Sequence, residues 1–244
     1  MSFPRFYCAE PLAPETTLPL PEALAHYAVR VLRLKDRSSI VLFDGRGGEY
    51  PAVLEVQGKR AQAHTGAHDP REAELAGEIT LVQGLPSGDK MDWIVEKAVE
   101  LGVHRIVPIA ADRSVLQLTG ERREKRLAHW RRVVESAAEQ CGRNRLLSID
   151  APMTLEKWLA TPVAGLRLMC HPAAQADLAQ ALVPTPTRVT LIVGPEGGWS
   201  DAELAHAGIA ANQVRSVRWG QRVMRTETAG LALTAATTTL LQWI

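Results

Sequence analysis

The sequence predicts an α/β protein in two parts, and three observations carry that reading. Along the 244 residues the texture changes: short alternating apolar runs broken by glycine turns give way, after Gly77, to strand, helix, strand, helix. The hydrophobic share, 46%, is enough at this length to fill one large core or two smaller ones. Two loops rich in glycine and arginine, at 194–198 and 218–229, follow apolar strands in the second part.

Taken in order, residues 39–45 and 50–56 alternate in the period of half-buried strands. Residues 66–76, polar and carrying Pro70, read as a linker, which divides the chain into 1–72 and 73–244. Candidate strands then follow at 79–83, 106–109, 166–170, 189–193 and 216–218. Between them Met91, Ile94, Val95, Ala98 and Leu101 recur at helical spacing, as do Leu127, Trp130, Val133, Val134, Ala137, Ala138 and Cys141. Ser200 and Glu203 have the spacing of a capping box, in which serine and glutamate satisfy free backbone donors at a helix start. This alternation implies a mostly parallel sheet covered by helices on both faces. Such sheets bind ligands beyond the carboxyl ends of their strands, where the loops at Gly194 and Gly220 emerge.

A net charge of +1 argues against a uniformly basic nucleic-acid protein, but the charge is uneven. From Arg113 to Arg145 there are nine Lys/Arg against four Asp/Glu, and Arg30, Arg33, Lys35 and Arg37 form a second basic run. Local patches on a nearly neutral chain suit contact with a phosphate backbone at a few places; for any one charge, a solvated helix face is an equal reading. Cys8, Cys141 and Cys170 show no paired or metal-ligand spacing and read as reduced thiols of a cytoplasmic protein. Pro4 and the lack of an early apolar run exclude a signal peptide, and residues 229–244 are too short and threonine-rich to span a bilayer, so no membrane role is expected. No metal is expected, because no His/Cys group has zinc spacing.

Gly194, Pro195, Glu196, Gly197 and Gly198 allow backbone to approach a flat ligand, and a plain strand-to-helix turn is an equal reading of the same pentapeptide. A phosphate-binding P-loop is disfavoured, since its Lys and Ser/Thr are missing from the required positions. His171 follows an apolar strand and lines the same crevice in one reading, or is a loop histidine without a role in the other.

Five stretches in order carry a resemblance: residues 42–45, 96–103, 138–143, 194–198 and 222–229. Through them the chain resembles, nearly end to end, the RsmE-type uridine-N3 methyltransferases of small-subunit ribosomal RNA, of the SPOUT class. The resemblance implies a PUA-like β-barrel over 1–72 and a SPOUT domain with a C-terminal trefoil knot over 73–244, although chains generally avoid knots. It implies S-adenosylmethionine (SAM) as cofactor, a uridine N3 of 16S ribosomal RNA in the small subunit as target, and a homodimer. Residues matching the cofactor loops are His171, Gly194, Pro195, Glu196, Gly197, Gly198, Trp219, Gly220, Val223, Met224, Arg225 and Thr226. RNA contacts are expected from Arg5, Arg30, Arg33, Lys35, Lys90, Lys97, Arg113, Arg143 and Asn144. Gln140, Arg143 and Asn144 also match a region that contributes to a subunit contact and the partner's site; by residues alone they are a helix end capped by Gly142. Trp219 stands where leucine is usual and Cys141 where serine is common.

N3 of uridine becomes nucleophilic as its proton leaves and charge spreads onto the flanking carbonyl oxygens. Arg222 and Arg225 are candidates to stabilise that charge. Glu227 is the third candidate catalytic residue; a carboxylate among arginines is a weak base, which favours an orienting role, and a helix N-terminal acid is its plainer reading. Other readings are a related knotted methyltransferase acting on transfer RNA or a ribose 2′-hydroxyl, and a catalytically silent RNA-binding assembly protein.

Overall fold

A computed structural model describes residues 3–58, 60–116, 119–209 and 214–244. Contacts divide the chain into two compact units, one running to Glu74 and including Ala138–Leu146, the other formed by Leu75–Ala137 and Leu147–Ile244. Each is described in turn.

The first unit contains β1 (Arg5–Tyr7), β2 (Thr17–Pro19), α1 (Glu22–His26) running into a π-helical turn at Tyr27–Val31, β3 (Ser39–Phe43), β4 (Tyr50–Gln57) and β5 (Arg60–Thr65). The strands form one sheet in the order β1-β3-β4-β5-β2, with β1 parallel to β3 and the other pairings antiparallel. Alternation does the sorting: Ala52 and Leu54 of β4 and Ala61 and Ala63 of β5 point into a core with Phe6, Ile40 and Leu42. The segment Ala138–Leu146 is tied to this unit by polar contacts. The Glu49 carboxylate accepts from Arg5 Nη1 at 2.6 Å and Arg71 Nη2 at 3.0 Å, while Arg5 Nη2 donates to Asn144 Oδ1 at 2.5 Å. Burial alone would raise the Glu49 pKa, but these donors outweigh it and hold the carboxyl below its usual value.

The second unit contains β6 (Glu78–Gly84), α2 (Lys90–Glu100), β7 (Arg105–Ile109), α3 (Gly120–Cys141, whose last turn belongs to the first unit), β8 (Ser148–Ile149), α4 (Leu155–Leu159), β9 (Leu166–Cys170), α5 (Leu178–Ala181), β10 (Arg188–Val193), α6 (Asp201–Ile209), β11 (Val214–Val217) and α7 (Thr226–Leu240). Its six strands lie in the order β11-β9-β10-β6-β7-β8, all parallel. The chain starts at β6, moves outward through β7 and β8, then crosses to the other side of β6. The strand order therefore reverses between β6 and β10, the place where open α/β sheets form a ligand crevice.

Both faces of this sheet are covered, as the apolar runs require. On one face Trp158 and Leu155 of α4 and Ala207 of α6 pack with Val82, Val107, Met169 and Ile192. The other face carries α7 against β10 and β6, with α2 beside it. Gly230 of α7 faces Leu81 and Gln83, and its missing side chain allows the close approach. The expected capping box is present: Ser200 N donates to Glu203 Oε2 at 2.8 Å, and Glu203 N to Ser200 Oγ at 3.2 Å. Ala76 N donates to Trp243 O at 3.1 Å, and the Trp243 ring lies over Gly77. Among the described residues no helix is long and apolar enough to cross a membrane.

Candidate active site

A cavity of about 750 Å³ opens at the carboxyl ends of β9, β10 and β11. Three segments build most of it. After β10 come Gly194, Pro195, Glu196, Gly197 and Gly198; after β11 come Arg218, Trp219, Gly220, Arg222, Val223, Met224 and Arg225; the first turn of α7 adds Thr226 and Glu227. His171 and Cys170 line it from the end of β9, and Lys90 and Arg113 from the other side. All the residues expected at the cofactor or in catalysis are thus brought to one cavity.

The packing that places the first loop is specific. Val193 pairs with Gln83 in the β10–β6 register, so the loop leaves the sheet beside Gly84. A Cβ on Gly84 would fall 2.5 Å from both the nitrogen and Cδ of Pro195, so this loop geometry needs a glycine there. The Thr226 hydroxyl donates to Gly194 O at 2.6 Å and accepts from Gln83 Nε2 at 2.9 Å. One buried hydroxyl therefore joins β6, the glycine loop and α7. Gly198 (φ 69°) and Gly220 (φ 70°) occupy the left-handed region, and nothing lies within 4 Å of the side chain each lacks, so both loops turn bare backbone towards open space.

Charge is arranged unevenly around the cavity. Arg222 and Arg225 are exposed, and among the described residues no carboxylate lies within ion-pair distance of either. Arg225 is the extended N-cap of α7, and Glu227 sits in the first turn, where a negative charge complements the helix dipole. Glu227 Oε2 is buried without a hydrogen-bond partner and lies 3.7 Å from Lys90 Nζ. Glu196 accepts from Lys90 Nζ at 2.7 Å, from Ser87 Oγ at 2.8 Å and from Ser87 N at 3.1 Å. Burial works to raise the Glu196 pKa, but the ammonium and these donors prevail and bring it to about 2. The His171 Nδ1 accepts from Ala173 N at 3.2 Å, which leaves the proton of the neutral ring on Nε2.

The residues expected at RNA are distributed differently. Lys90 and Arg113 line the cavity, while Arg30, Arg33 and Lys35 are exposed on the first unit, Arg33 with φ 56°. Lys97 is held on its own helix by Glu96 and Glu100, each at 2.7 Å. Arg5, Arg143 and Asn144 are engaged within the first unit. Arg143 is 3% exposed with its guanidinium on Glu74, Asn144 is fully buried and donates to Arg71 O at 2.7 Å, and Arg5 is engaged by Glu49 and Asn144. The contacts just named all fall within the first unit, although Arg5 Nε is buried without a hydrogen-bond partner, and composition near a helix end could not reveal them. Sequence reasoning also missed Ser87 and Gln83, whose part in the site depends on contacts far along the chain. Among the described residues no group of His, Cys, Asp and Glu is disposed to hold a metal ion.

A parallel sheet with a glycine-lined cavity at its switch point, and arginines on the loop that closes it, define the class: the chain belongs to the RNA methyltransferase family, whose domain matches residues 73–238. An RNA methyltransferase PUA domain matches residues 20–64. Ribosomal RNA small subunit methyltransferase E of Synechocystis sp. is 32% identical over 237 residues, covering 93% of this chain and 75% of that protein. The Bacillus subtilis protein of the same name is 27% identical over 84% of this chain and 83% of its own length. Among solved structures, ribosomal RNA small subunit methyltransferase E of Neisseria gonorrhoeae bound to S-adenosyl methionine superposes with a TM-score of 0.89 at 36% identity, over 98% of both chains. A Legionella pneumophila protein in complex with the bound cofactor SAM gives 0.90 at 28% identity, over 99% of this chain and 98% of its own.

Proposed function

We propose that this chain transfers a methyl group from SAM to N3 of a specific uridine in 16S ribosomal RNA of the small subunit, acting as a cytoplasmic homodimer. The observation that carries the reading is the convergence of two glycine loops and the unpaired arginines Arg222 and Arg225 on one cavity at the switch point of the sheet. The relatives' names and their bound SAM support it.

The cavity fits SAM on its own features. Gly198 and Gly220 present bare backbone on the loops that line the cavity, and Trp219 and Val223 stand 41% and 78% exposed on its wall, apolar surface suited to a flat ring. The residues that would hold the cofactor are His171, Gly194, Pro195, Glu196, Gly197, Gly198, Trp219, Gly220, Val223, Met224, Arg225 and Thr226. When bound, SAM supplies an electrophilic methyl group, so the protein's task is chiefly to align the nucleophile with it. Arg222 and Arg225 offer cations where the uracil oxygens gain charge as N3 loses its proton. Glu227 is assigned an orienting part, anchored at the start of α7 beside Lys90.

The exposed Arg30, Arg33 and Lys35 supply phosphate contacts from the PUA unit, and Arg113 supplies one from the second unit. Residues 1–72 and 73–244 remain our division into RNA-binding and catalytic domains. The trefoil knot belongs to the same reading: β11 lies beyond β9, and α7 then returns to pack on β10 and β6.

The test is transfer of labelled methyl from SAM to small subunits lacking their own modification, followed by nucleoside analysis. Labelled 3-methyluridine is expected. Label in a ribose or only in transfer RNA refutes the target, and absence of both transfer and SAM binding refutes the activity. Sedimentation at several concentrations checks the dimer.

A further inference from the structure

We propose that Lys90 is a positioning residue of this site, and not one of its RNA contacts: its ammonium fastens Glu196 of the glycine loop and holds Glu227 of α7, so a single cation on α2 joins the segments that wall the cavity. The proposal rests on the function above and deepens it.

The geometry argues against a free cation. Lys90 Nζ lies 2.7 Å from Glu196 Oε1 and 3.7 Å from Glu227 Oε2, so two carboxylates already claim it. Ser87, three residues earlier, presents both its amide and its hydroxyl to the same Glu196 carboxylate. The turn before α2 is therefore shaped around Glu196. The Glu196 pKa of about 2 and the raised Lys90 pKa, the latter caused first by the Glu196 hydrogen bond, keep both partners charged at neutral pH. Arg225 opposes the charge on Lys90 and, among the described residues, has no carboxylate in ion-pair range, so it does not substitute as a tether.

Other fasteners of the loop act at different points. Thr226 holds Gly194 O, Pro195 packs on Gly84, and Arg113 Nη1 reaches Gly197 O only at 3.5 Å. Glu196 lies between these points and has Lys90 and Ser87 as its side-chain partners. A partly exposed ion pair adds little to overall stability. Its value is in placement, because an error of about 1 Å in a reacting geometry costs roughly 10²-fold in rate.

The experiment compares Lys90→Gln, Lys90→Arg, Glu196→Gln and the Lys90→Gln/Glu196→Gln double variant with the wild-type full chain. SAM affinity is measured by calorimetry without RNA, and kcat, KM for the RNA substrate and the salt dependence of RNA binding are measured separately. The expected result for Lys90→Gln is a SAM Kd weaker by about 10-fold and kcat lower by about 10- to 100-fold, with KM for RNA and the salt slope unchanged. Glu196→Gln reproduces the SAM defect, the double variant is no worse than the poorer single one, and Lys90→Arg restores part of kcat. The proposal is overturned if Lys90→Gln leaves SAM affinity intact and lowers the salt slope by about one counterion, the behaviour of a phosphate contact. Additive losses in the double variant also overturn it. If Lys90→Gln does not fold, Glu196→Gln alone decides, through loss or retention of SAM affinity. Failure of wild-type protein to bind SAM is a separate outcome that sinks the functional reading itself.

Discussion

Gly84→Ala tests how the cofactor loop is seated. Gly84 ends β6 with an ordinary backbone conformation, so alanine brings no backbone strain of its own and the effect comes from contact alone. The added Cβ would lie 2.5 Å from both Pro195 N and Pro195 Cδ, and 2.9 Å from Gly194 C. Ordinary carbon contacts begin at roughly 3.5 Å, so Pro195 must retreat by about 1 Å. Two of these atoms are backbone and the third belongs to a rigid ring, so no flexible side chain absorbs the displacement. Overpacking of this kind costs roughly 1–3 kcal/mol, which lowers Tm by about 2–4 °C per kcal/mol for a chain of this size. The larger effect is on the ligand, since Glu196, Gly197 and Gly198 move with Pro195. We expect SAM affinity, measured by calorimetry, to fall at least about 10-fold, the lower part of what a 1 Å misplacement does to a reacting geometry. Circular dichroism should show an unchanged fold. Wild-type SAM affinity in a folded Gly84→Ala protein would refute the reasoning that this contact seats the loop.

Three further outcomes follow from other parts of the molecule. Arg225→Ala should lower kcat by about 10²–10³-fold while SAM affinity changes by less than about 3-fold, because the guanidinium acts on charge that develops in the transition state; equal turnover in the variant defeats the assignment. Glu49→Gln should destabilise the first unit by about 3 kcal/mol, the low end for breaking a buried pair because Arg71 stays 45% exposed. The sign for pH follows from the depressed folded pKa: the Glu49 contribution is complete above the ordinary carboxylate value and is lost as pH falls through the lower folded value. Urea unfolding of wild type and variant should therefore converge on acidification, and a constant gap contradicts this. Gly77→Ala would set a methyl group into the Trp243 ring and should cost about 1–3 kcal/mol; an unchanged Tm shows that the ring has another place to go.

Much of the catalytic fold was legible because buried parallel strands read as uninterrupted apolar runs. The strand 166–170 was placed to the residue, and 189–193 missed only Arg188 at its exposed start. The last strand was expected at 216–218 but runs Val214–Val217, because Arg215 and Ser216 interrupt the apolar pattern on an edge strand. Strand Ser148–Ile149 is two residues long and carries no period to detect. The cavity residues were legible because each wall is a contiguous loop with its own glycine and arginine signature. Glu196 with Lys90, Thr226 with Gln83, and Arg143 with Glu74 were not, since those partners meet only through the tertiary fold. Arg143 shows the difference most plainly: as a letter near a helix end it looks available, and in the fold it is 3% exposed.

Trp219 gives this protein a built-in optical probe. It stands 41% exposed on the cavity wall, whereas Trp130, Trp158, Trp199 and Trp243 are buried. Trp93, the other exposed indole, lies on α2 and does not line the cavity. A ligand arriving over the second loop changes the surroundings of one exposed fluorophore and leaves the other in water. Because the buried Trp199 also lines the cavity, the emission difference between wild type and Trp219→Phe then follows occupancy in real time without any label.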